Sequence, residues 1–294
     1  MLSVLIPVYN FDITPLVRSL HQQLSLEAKP FEIILLDDGS QPSFKEVNRA
    51  VRELSHVVYE ELPKNVGRSR IRNLMAQRAR FEHLLYLDCD SELEDSQFIH
   101  RYVAVADGKT VVNGGRSYAS TPPADVTVFF RWKYGICRET VNAAERNREP
   151  YFFFLSNNFL IPRTVMLQVP FNEKLSGYGH EDTLLAIELG QVGVPVRHID
   201  NPARHIGLES AADFLGKWDQ SIANLHRLMA QNVPMQHLKL VQWYLKLNHP
   251  PLRWLFTTGF KVIEPLVLRN LNGPNPSLFL FDGLRLARVL SYRP

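Results

Sequence analysis

His83-Leu84-Leu85-Tyr86-Leu87-Asp88-Cys89-Asp90 runs from a short apolar strand directly into two carboxylates, and the chain upstream repeats the same design. Ser3–Val8 and Phe31–Leu36 are apolar, β-rich runs bounded by turn residues, as strands buried on both faces should be. A further strand is expected over Val57–Glu61. Between the first two, Thr14-Pro15 reads as an N-cap with proline at the first helical position, and Leu16, Leu20 and Leu24 follow at helical spacing. A second helix is expected from Gly67 to Arg80, with Ile71, Leu74 and Met75 on one face. Strand–helix–strand repetition at this length predicts an α/β fold with a mostly parallel sheet and a site at the carboxyl ends of its strands. Two acidic motifs fall at those ends, Asp37-Asp38-Gly39-Ser40 and Asp88-Cys89-Asp90.

The second half is less regular. Strands are expected over Thr110–Asn113, Tyr151–Ile161 and Val196–Ile199, with a polar helix around Lys133–Arg148. Gly177 to Gly193 reads as a glycine-rich loop running into a helix. Beyond residue 210 helical periodicity takes over, through Phe214, Leu215, Trp218, Ile222, Leu225, Leu228 and Met229. The expected division is therefore an α/β domain over 1–210 and a helical, basic and aromatic extension over 211–294. Residues 237–294 carry eight Lys/Arg against Glu264 and Asp282, with eight aromatics interleaved. Such a segment suits either the surface of an anionic membrane leaflet or packing on the main domain, with solvated cations.

Composition excludes several classes. In 294 residues, 45% are hydrophobic and 21% charged, which is ordinary globular usage. A net charge of +3 is too small to argue for nucleic acid. Cys89 and Cys137 are too few for a disulfide framework and suit a reducing compartment. Met1–Pro7 has no basic leader pattern, and the longest apolar candidate, Leu252 to Leu271, is interrupted by Arg253, Lys261, Glu264 and Arg269. The expectation is a cytoplasmic protein, with peripheral attachment to the inner face of the membrane as the alternative.

Several groups can carry chemistry, each with a plainer reading beside it. Asp38 is either part of an acidic turn or a carboxylate presented to a base or sugar. Either Asp90 or Ser91 caps the next helix, or Asp88 and Asp90 hold a hard divalent cation, which prefers one or two carboxylates plus phosphate oxygens. Arg68, Arg70 and Arg72 crowd a helix start, where cations oppose the macrodipole, so either the face is solvated or an anion compensates. Glu181 and Asp182, in Gly177-Tyr178-Gly179-His180-Glu181-Asp182, either complement a helix dipole or provide a general base. His205 is either structural or a third metal ligand. Ser156-Asn157-Asn158, after an aromatic run, could contact a substrate.

Taken in order, these motifs resemble the family-2 glycosyltransferases of the GT-A fold. The resemblance is carried by Ser3-Val4-Leu5-Ile6-Pro7-Val8-Tyr9-Asn10, Ile34-Leu35-Leu36-Asp37-Asp38-Gly39-Ser40, Asn65-Val66-Gly67, Arg72-Asn73, Leu87-Asp88-Cys89-Asp90 and Gly179-His180-Glu181-Asp182. It covers roughly residues 1–210 and implies transfer of a sugar from a nucleotide-sugar, commonly a UDP-sugar, to an acceptor hydroxyl with inversion. It implies that Pro7 and Tyr9 line the nucleotide and that Asp38 reads the base. It implies that Asp90 is the main ligand of a divalent metal (Mn²⁺ or Mg²⁺), with Asp88 on the metal or the ribose. Arg70 and Arg72 are both candidates for the diphosphate, and Asn157 for a substrate contact. Asp182 matches the base position, with Glu181 beside it. The Gly-x-Gly-x-Glu-Asp run also resembles the acceptor loop of galactosyltransferases. The acceptor implied is a saccharide or lipid-linked molecule, in surface polysaccharide or glycoconjugate synthesis.

Other classes fit less well. A dinucleotide-binding oxidoreductase needs G-x-G-x-x-G after the first strand, and Val8-Tyr9-Asn10-Phe11-Asp12 has no glycine. The Q-x-x-R-W motif of processive synthases is absent from the sequence. An inactive binding or scaffold protein of the same fold is the alternative from another class. Retention of both the Asp-x-Asp and the Glu-Asp pair favours an enzyme.

Overall fold

The computed structural model describes residues 1–175 and 177–293. The chain divides into two compact units. One comprises residues 1–118, 140–175 and 181–207, and the other residues 119–139, 176–180 and 208–294.

In the first unit the order is β1 (Leu2–Val8), α1 (Thr14–Leu26), β2 (Phe31–Asp37), α2 (Pro42–Asn48), β3 (Val57–Glu61), α3 (Arg68–Arg78), β4 (His83–Leu87) and β5 (Ser91–Leu93). Then come α4 (Phe98–Val105), β6 (Val111–Asn113) and β7 (Arg116–Ser117). In the second unit follows α5 (Phe129–Tyr134). The first unit resumes with α6 (Ala143–Arg146), β8 (Asn158–Pro162), α7 (Arg163–Gln168), α8 (Glu181–Gln191), β9 (Val196–His198) and β10 (Ala203–His205).

Among the described residues, a seven-stranded sheet has the order β3-β2-β1-β4-β8-β6-β9, and β5-β10-β7 form a second small sheet. β1 pairs in parallel with both β2 and β4, so the strand order reverses at β1 and a crevice opens at the carboxyl ends of β1 and β4. The apolar runs are continuous because both faces are covered. Val4, Ile6 and Val8 pack with Leu16, Leu20 and Phe98 on one face, while Leu5, Ile34, Leu36 and Tyr86 pack with Ile71, Met75 and Leu185 on the other.

Three expectations need correction. Thr14 is the first helical residue rather than the cap, and its amide and hydroxyl both donate to Asp12 Oδ1. Tyr151–Phe153 form a turn, because the amides of Phe152 and Phe153 donate to the Glu149 carbonyl instead of a strand partner, and β8 starts only at Asn158. The Lys133–Arg148 helix is broken: α5 passes into a π turn over Gly135–Glu139, and α6 starts afresh with Asn142 accepting from the Glu145 amide.

The second unit adds α9 (Ala211–Ala230), α10 (Lys239–Leu247), α11 (Pro250–Leu271) and α12 (Leu278–Ser291) to α5. Its core is an aromatic cluster of Phe130, Tyr134, Phe214, Trp218 and Phe281. Residues 119–139 thus pack with the helical segment rather than with the rest of 1–210, since Phe130 lies 4.9 Å from Phe281 between ring centroids. The buried Arg131 sits over Phe214 and pairs with Glu139 and Glu209.

Candidate active site

All the residues singled out for chemistry lie in the first unit. β4 delivers Asp88 to the crevice, where its amide donates to the Asn157 carbonyl. Its two oxygens are taken by guanidinium groups: Arg72 Nη2 donates to Oδ1 at 2.8 Å and Arg116 Nη2 to Oδ2 at 3.3 Å. Arg72 is buried, lies 5.3 Å from the centroid of Phe171, and leaves Nε and Nη1 without a hydrogen-bond partner. Two of the three arginines at the start of α3, Arg68 and Arg72, therefore meet carboxylates of the protein itself. Arg68 Nη1 stands 3.6 Å from Glu181 Oε1, and Arg70 is exposed.

Asp90 and His205 are brought together by strand register. β10 pairs antiparallel with β5, setting His205 opposite Ser91, and the Ile206 amide donates to the Asp90 carbonyl at 2.9 Å. His205 Nδ1 is then 3.4 Å from Asp90 Oδ2, with the Tyr118 ring edge-on to the imidazole. Asp90 Oδ1 and both ring nitrogens are buried with no hydrogen bond closed. Burial opposes ionisation of Asp90, but His205, Arg116 and Arg68 hold its carboxyl well below the usual carboxylate range. Gly207 lets the chain pass this close: a Cβ there would lie 2.8 Å from both Cβ and Oδ2 of Asp90.

Among the described residues, no three His, Cys, Asp or Glu side chains are gathered into a metal cage. Asp90 and His205 nevertheless present an unbonded carboxylate oxygen and an unbonded imidazole. These donors fit a cation shared with a diphosphate better than one enclosed by protein alone.

α8 begins at Glu181, and Asp182 Oδ1 accepts from the Thr183 amide at 2.8 Å. Burial, and next the charge of Glu181, push Asp182 up to about 6, against the pull of the Thr183 amide, Arg72 and Arg116. Asp182 thus feels the same two arginines that hold Asp88. A carboxylate poised near neutrality, within the field of an Arg pair, has the properties of a general base.

On the strand ends to the other side, Asp38 is buried and accepts from the Val66 amide at 2.6 Å and the Gly67 amide at 3.1 Å. It secures the loop entering α3, and burial raises its pKa despite those two amides. Asp37 is likewise occupied, by the Ser40 amide and the Tyr59 hydroxyl. Pro7 is half-buried in β1, whereas Tyr9 beyond it is 53% exposed. Asn10, at φ 50°, donates its amide to Ser40 Oγ and accepts from the Gln41 amide, tying the Tyr9 turn to the Asp38 loop. Cys89 is no nucleophile, since burial pushes its thiol up to about 12. Asn157 is buried with Oδ1 unbonded, while Asn158 is engaged by Tyr102, Gly115 and Asn201.

Sequence reasoning missed Arg116 and Gly207. The only local signal for Arg116 was the Gly114-Gly115 pair before it, and Gly207 looked like any turn glycine after His205.

A mostly parallel sheet, with only β8 antiparallel to its neighbours among the described residues, carrying an Asp-x-Asp pair at its switch point, facing two arginines and a separate helix-borne acid, defines the GT-A class of glycosyltransferases. The family model for glycosyl transferase family 2 matches residues 3–172, more than half of the chain, and the protein belongs to that family. Hyaluronan synthase of Pasteurella multocida is 23% identical over 234 residues, 68% of this chain and 24% of that protein. An uncharacterized glycosyltransferase of Rickettsia conorii is 33% identical over 89 residues, 30% of this chain and 14% of that protein. The chain thus spans less than a quarter of the length of these curated relatives. Among solved structures, S. aureus TarS (residues 1–349) aligns at TM-score 0.53 and 17% identity, covering 98% of this chain and 90% of that one. Mannosyltransferase PcManGT from Pyrobaculum calidifontis, in complex with GDP-Man and Mn²⁺, aligns at TM-score 0.57 and 15% identity, covering 98% and 85%. Both share the fold.

Proposed function

We propose that this glycosyltransferase moves a hexose from a UDP-sugar to an acceptor hydroxyl with inversion, in surface polysaccharide or glycoconjugate synthesis. One observation carries the reading: Arg72 and Asn157, both bonded to Asp88, and Asp90 with its neighbour His205 all keep buried polar atoms without a hydrogen-bond partner, the pattern of a site built for a polar ligand. In this reading Tyr9 stacks on the base, Pro7 shapes the turn beneath it, and Asp38 acts through the loop it secures. Arg72 faces the diphosphate in preference to the exposed Arg70. Asp90 and His205 would hold a divalent cation, and Asp88 orients Arg72 and Arg116. When bound, the cation supplies charge stabilisation to the departing diphosphate.

Asp182 accepts the proton of the acceptor hydroxyl as that oxygen attacks the anomeric carbon. The bond from that carbon to the diphosphate oxygen breaks, and the leaving oxygen keeps the electron pair. Arg72 compensates part of the charge that develops. Glu181, held by Arg68, keeps Asp182 basic by its own negative charge. The start of α8, with Glu181 and Asp182, is proposed as the acceptor side, for a saccharide or lipid-linked acceptor. Two unpaired cysteines fit a cytoplasmic setting.

A screen of UDP- and GDP-sugars by calorimetry, with Mn²⁺ and with EDTA, tests the donor assignment. UDP-sugars should bind with Mn²⁺ and weaken sharply without it. Binding confined to GDP-sugars, or indifferent to EDTA, overturns that part of the reading.

A further inference from the structure

The helical unit carries an apolar face that none of its described residues covers. Along α11, Leu255, Val262 and Leu266 fall within about 20° of one line at 100° per residue, and they are 64%, 75% and 68% exposed. Trp254, one residue before Leu255 and about 100° round the helix from it, is 67% exposed. The opposite side of the same helix supplies Val267 and Leu271 to the unit's core, so the outward face is surplus to folding.

Charge decides what that face fits. Lys239 and Lys246 on α10, and Lys261 and Arg269 on α11, are exposed and form no ion pair among the described residues. The acids of the same segment are already neutralised: Glu264 pairs with Arg288 at 2.9 Å, and Asp282 with Arg138 at 2.7 Å. Arg269 falls within about 40° of the Leu255 line, so an unpaired cation lies beside the exposed aliphatic groups of α11, with Lys261 further round the same helix and Lys239 and Lys246 on α10. Lys246 lies 5.1 Å from the Trp243 ring centroid, leaving that indole half-exposed beneath its ammonium. A second copy of the chain would bring further unpaired cations to the seam, while Glu264 and Asp282 are already paired and offer them no free acid, which disfavours self-association. No helix among the described residues is long and apolar enough to cross a bilayer.

We propose that the α10–α11 face docks on the surface of an anionic lipid membrane, with Trp254, Leu255, Val262 and Leu266 entering the headgroup–acyl boundary and Lys246, Lys261 and Arg269 facing the lipid phosphates. The inference stands on the helical unit alone and does not depend on which sugar is transferred.

Co-sedimentation of the full chain with vesicles of phosphatidylcholine alone, or with phosphatidylglycerol added, tests it. The protein pellets with anionic vesicles and not with neutral ones at low salt, and the pelleted fraction falls as salt rises. Each of Lys246→Ser, Lys261→Ser and Arg269→Ser weakens partitioning by about fivefold. Leu255→Ser with Val262→Ser abolishes it, and because both residues are exposed the circular dichroism spectrum stays unchanged. Indole emission shifts to the blue on anionic vesicles and loses part of that shift in Trp254→Phe. Equal recovery in the supernatant with both vesicle types overturns the proposal. So does binding that ignores salt and all of these variants, or a dimer by light scattering that the Leu255→Ser, Val262→Ser variant dissolves while vesicles recruit nothing.

Discussion

Gly207→Ala should disable the enzyme while leaving it folded. The glycine has no unusual backbone requirement; its importance is space, because an added Cβ would meet Asp90 Cβ and Oδ2 at 2.8 Å and Cγ at 3.2 Å. Carbon–carbon contact is comfortable at about 3.5–4.0 Å, so either the Asp90 side chain or the chain after β10 must retreat by roughly 0.7–1.2 Å. The retreat is hard to absorb, because the Ile206 amide is pinned to the Asp90 carbonyl and His205 is fixed in the β5–β10 ladder. Overpacking of this kind costs about 1–3 kcal/mol. Misplacing a catalytic group by about 1 Å lowers turnover on the order of a hundredfold. The assay is turnover of the donor found by the UDP-sugar screen, with a Mn²⁺ titration of UDP binding. Ile206→Ala serves as the control, since that side chain is 46% exposed. Gly207→Ala should shift the Mn²⁺ midpoint upward and slow turnover, with the control near wild type. Wild-type turnover and midpoint in Gly207→Ala would show that Asp90 is not positioned for the metal, and the assignment of Asp90 and His205 would go with it.

Other outcomes follow from the same geometry. Asp182→Asn should lower turnover by about 10²–10⁴-fold with donor binding intact; wild-type turnover would pass the role to Glu181. The folded-state pKa of Asp182 is raised from 3.8 to about 6, so the native state favours the protonated acid and loses that advantage as pH rises through 6. Asp182→Asn should therefore not lower Tm at pH 7.5, and the acid limb of the wild-type rate profile near pH 6 should vanish in the variant. Arg72→Lys keeps the charge but loses the fork that reaches Asp88 Oδ1, and UDP affinity by calorimetry should fall at least tenfold; unchanged affinity would remove Arg72 from the diphosphate. His198 is pushed down to about 4, by burial foremost and by the charge of Arg146, whose Nη1 donates to its Nδ1. Its contribution to stability is complete above about 6.5 and is lost as pH falls toward 4. Thermal melts should show this loss in the wild type and a flatter profile in His198→Gln.

The sheet was legible from the chain alone because its signals are local. Runs such as Ile33-Ile34-Leu35-Leu36 state by themselves that both faces are covered, and the acids that end them mark the carboxyl edge. Asp90 and Asp182 were legible for the same reason, as carboxylates at a strand end and a helix start. What each group touches was not. Asp38 read either as part of an acidic turn or as a carboxylate presented to a base or sugar, and only the tertiary structure shows its oxygens accepting from the Val66 and Gly67 amides. Arg70 and Arg72 were both candidates for the diphosphate, and burial separates Arg72, packed against Phe171, from the exposed Arg70. The meetings of His205 with Asp90 and of Arg116 with Asp88 depend on short strands, β10 and β7, whose three and two residues carry too little periodicity to read. Periodicity reports which face of an element is apolar over a few residues. The pairing of groups roughly a hundred residues apart is decided by register and by the space between side chains, which exist only once the sheet has closed.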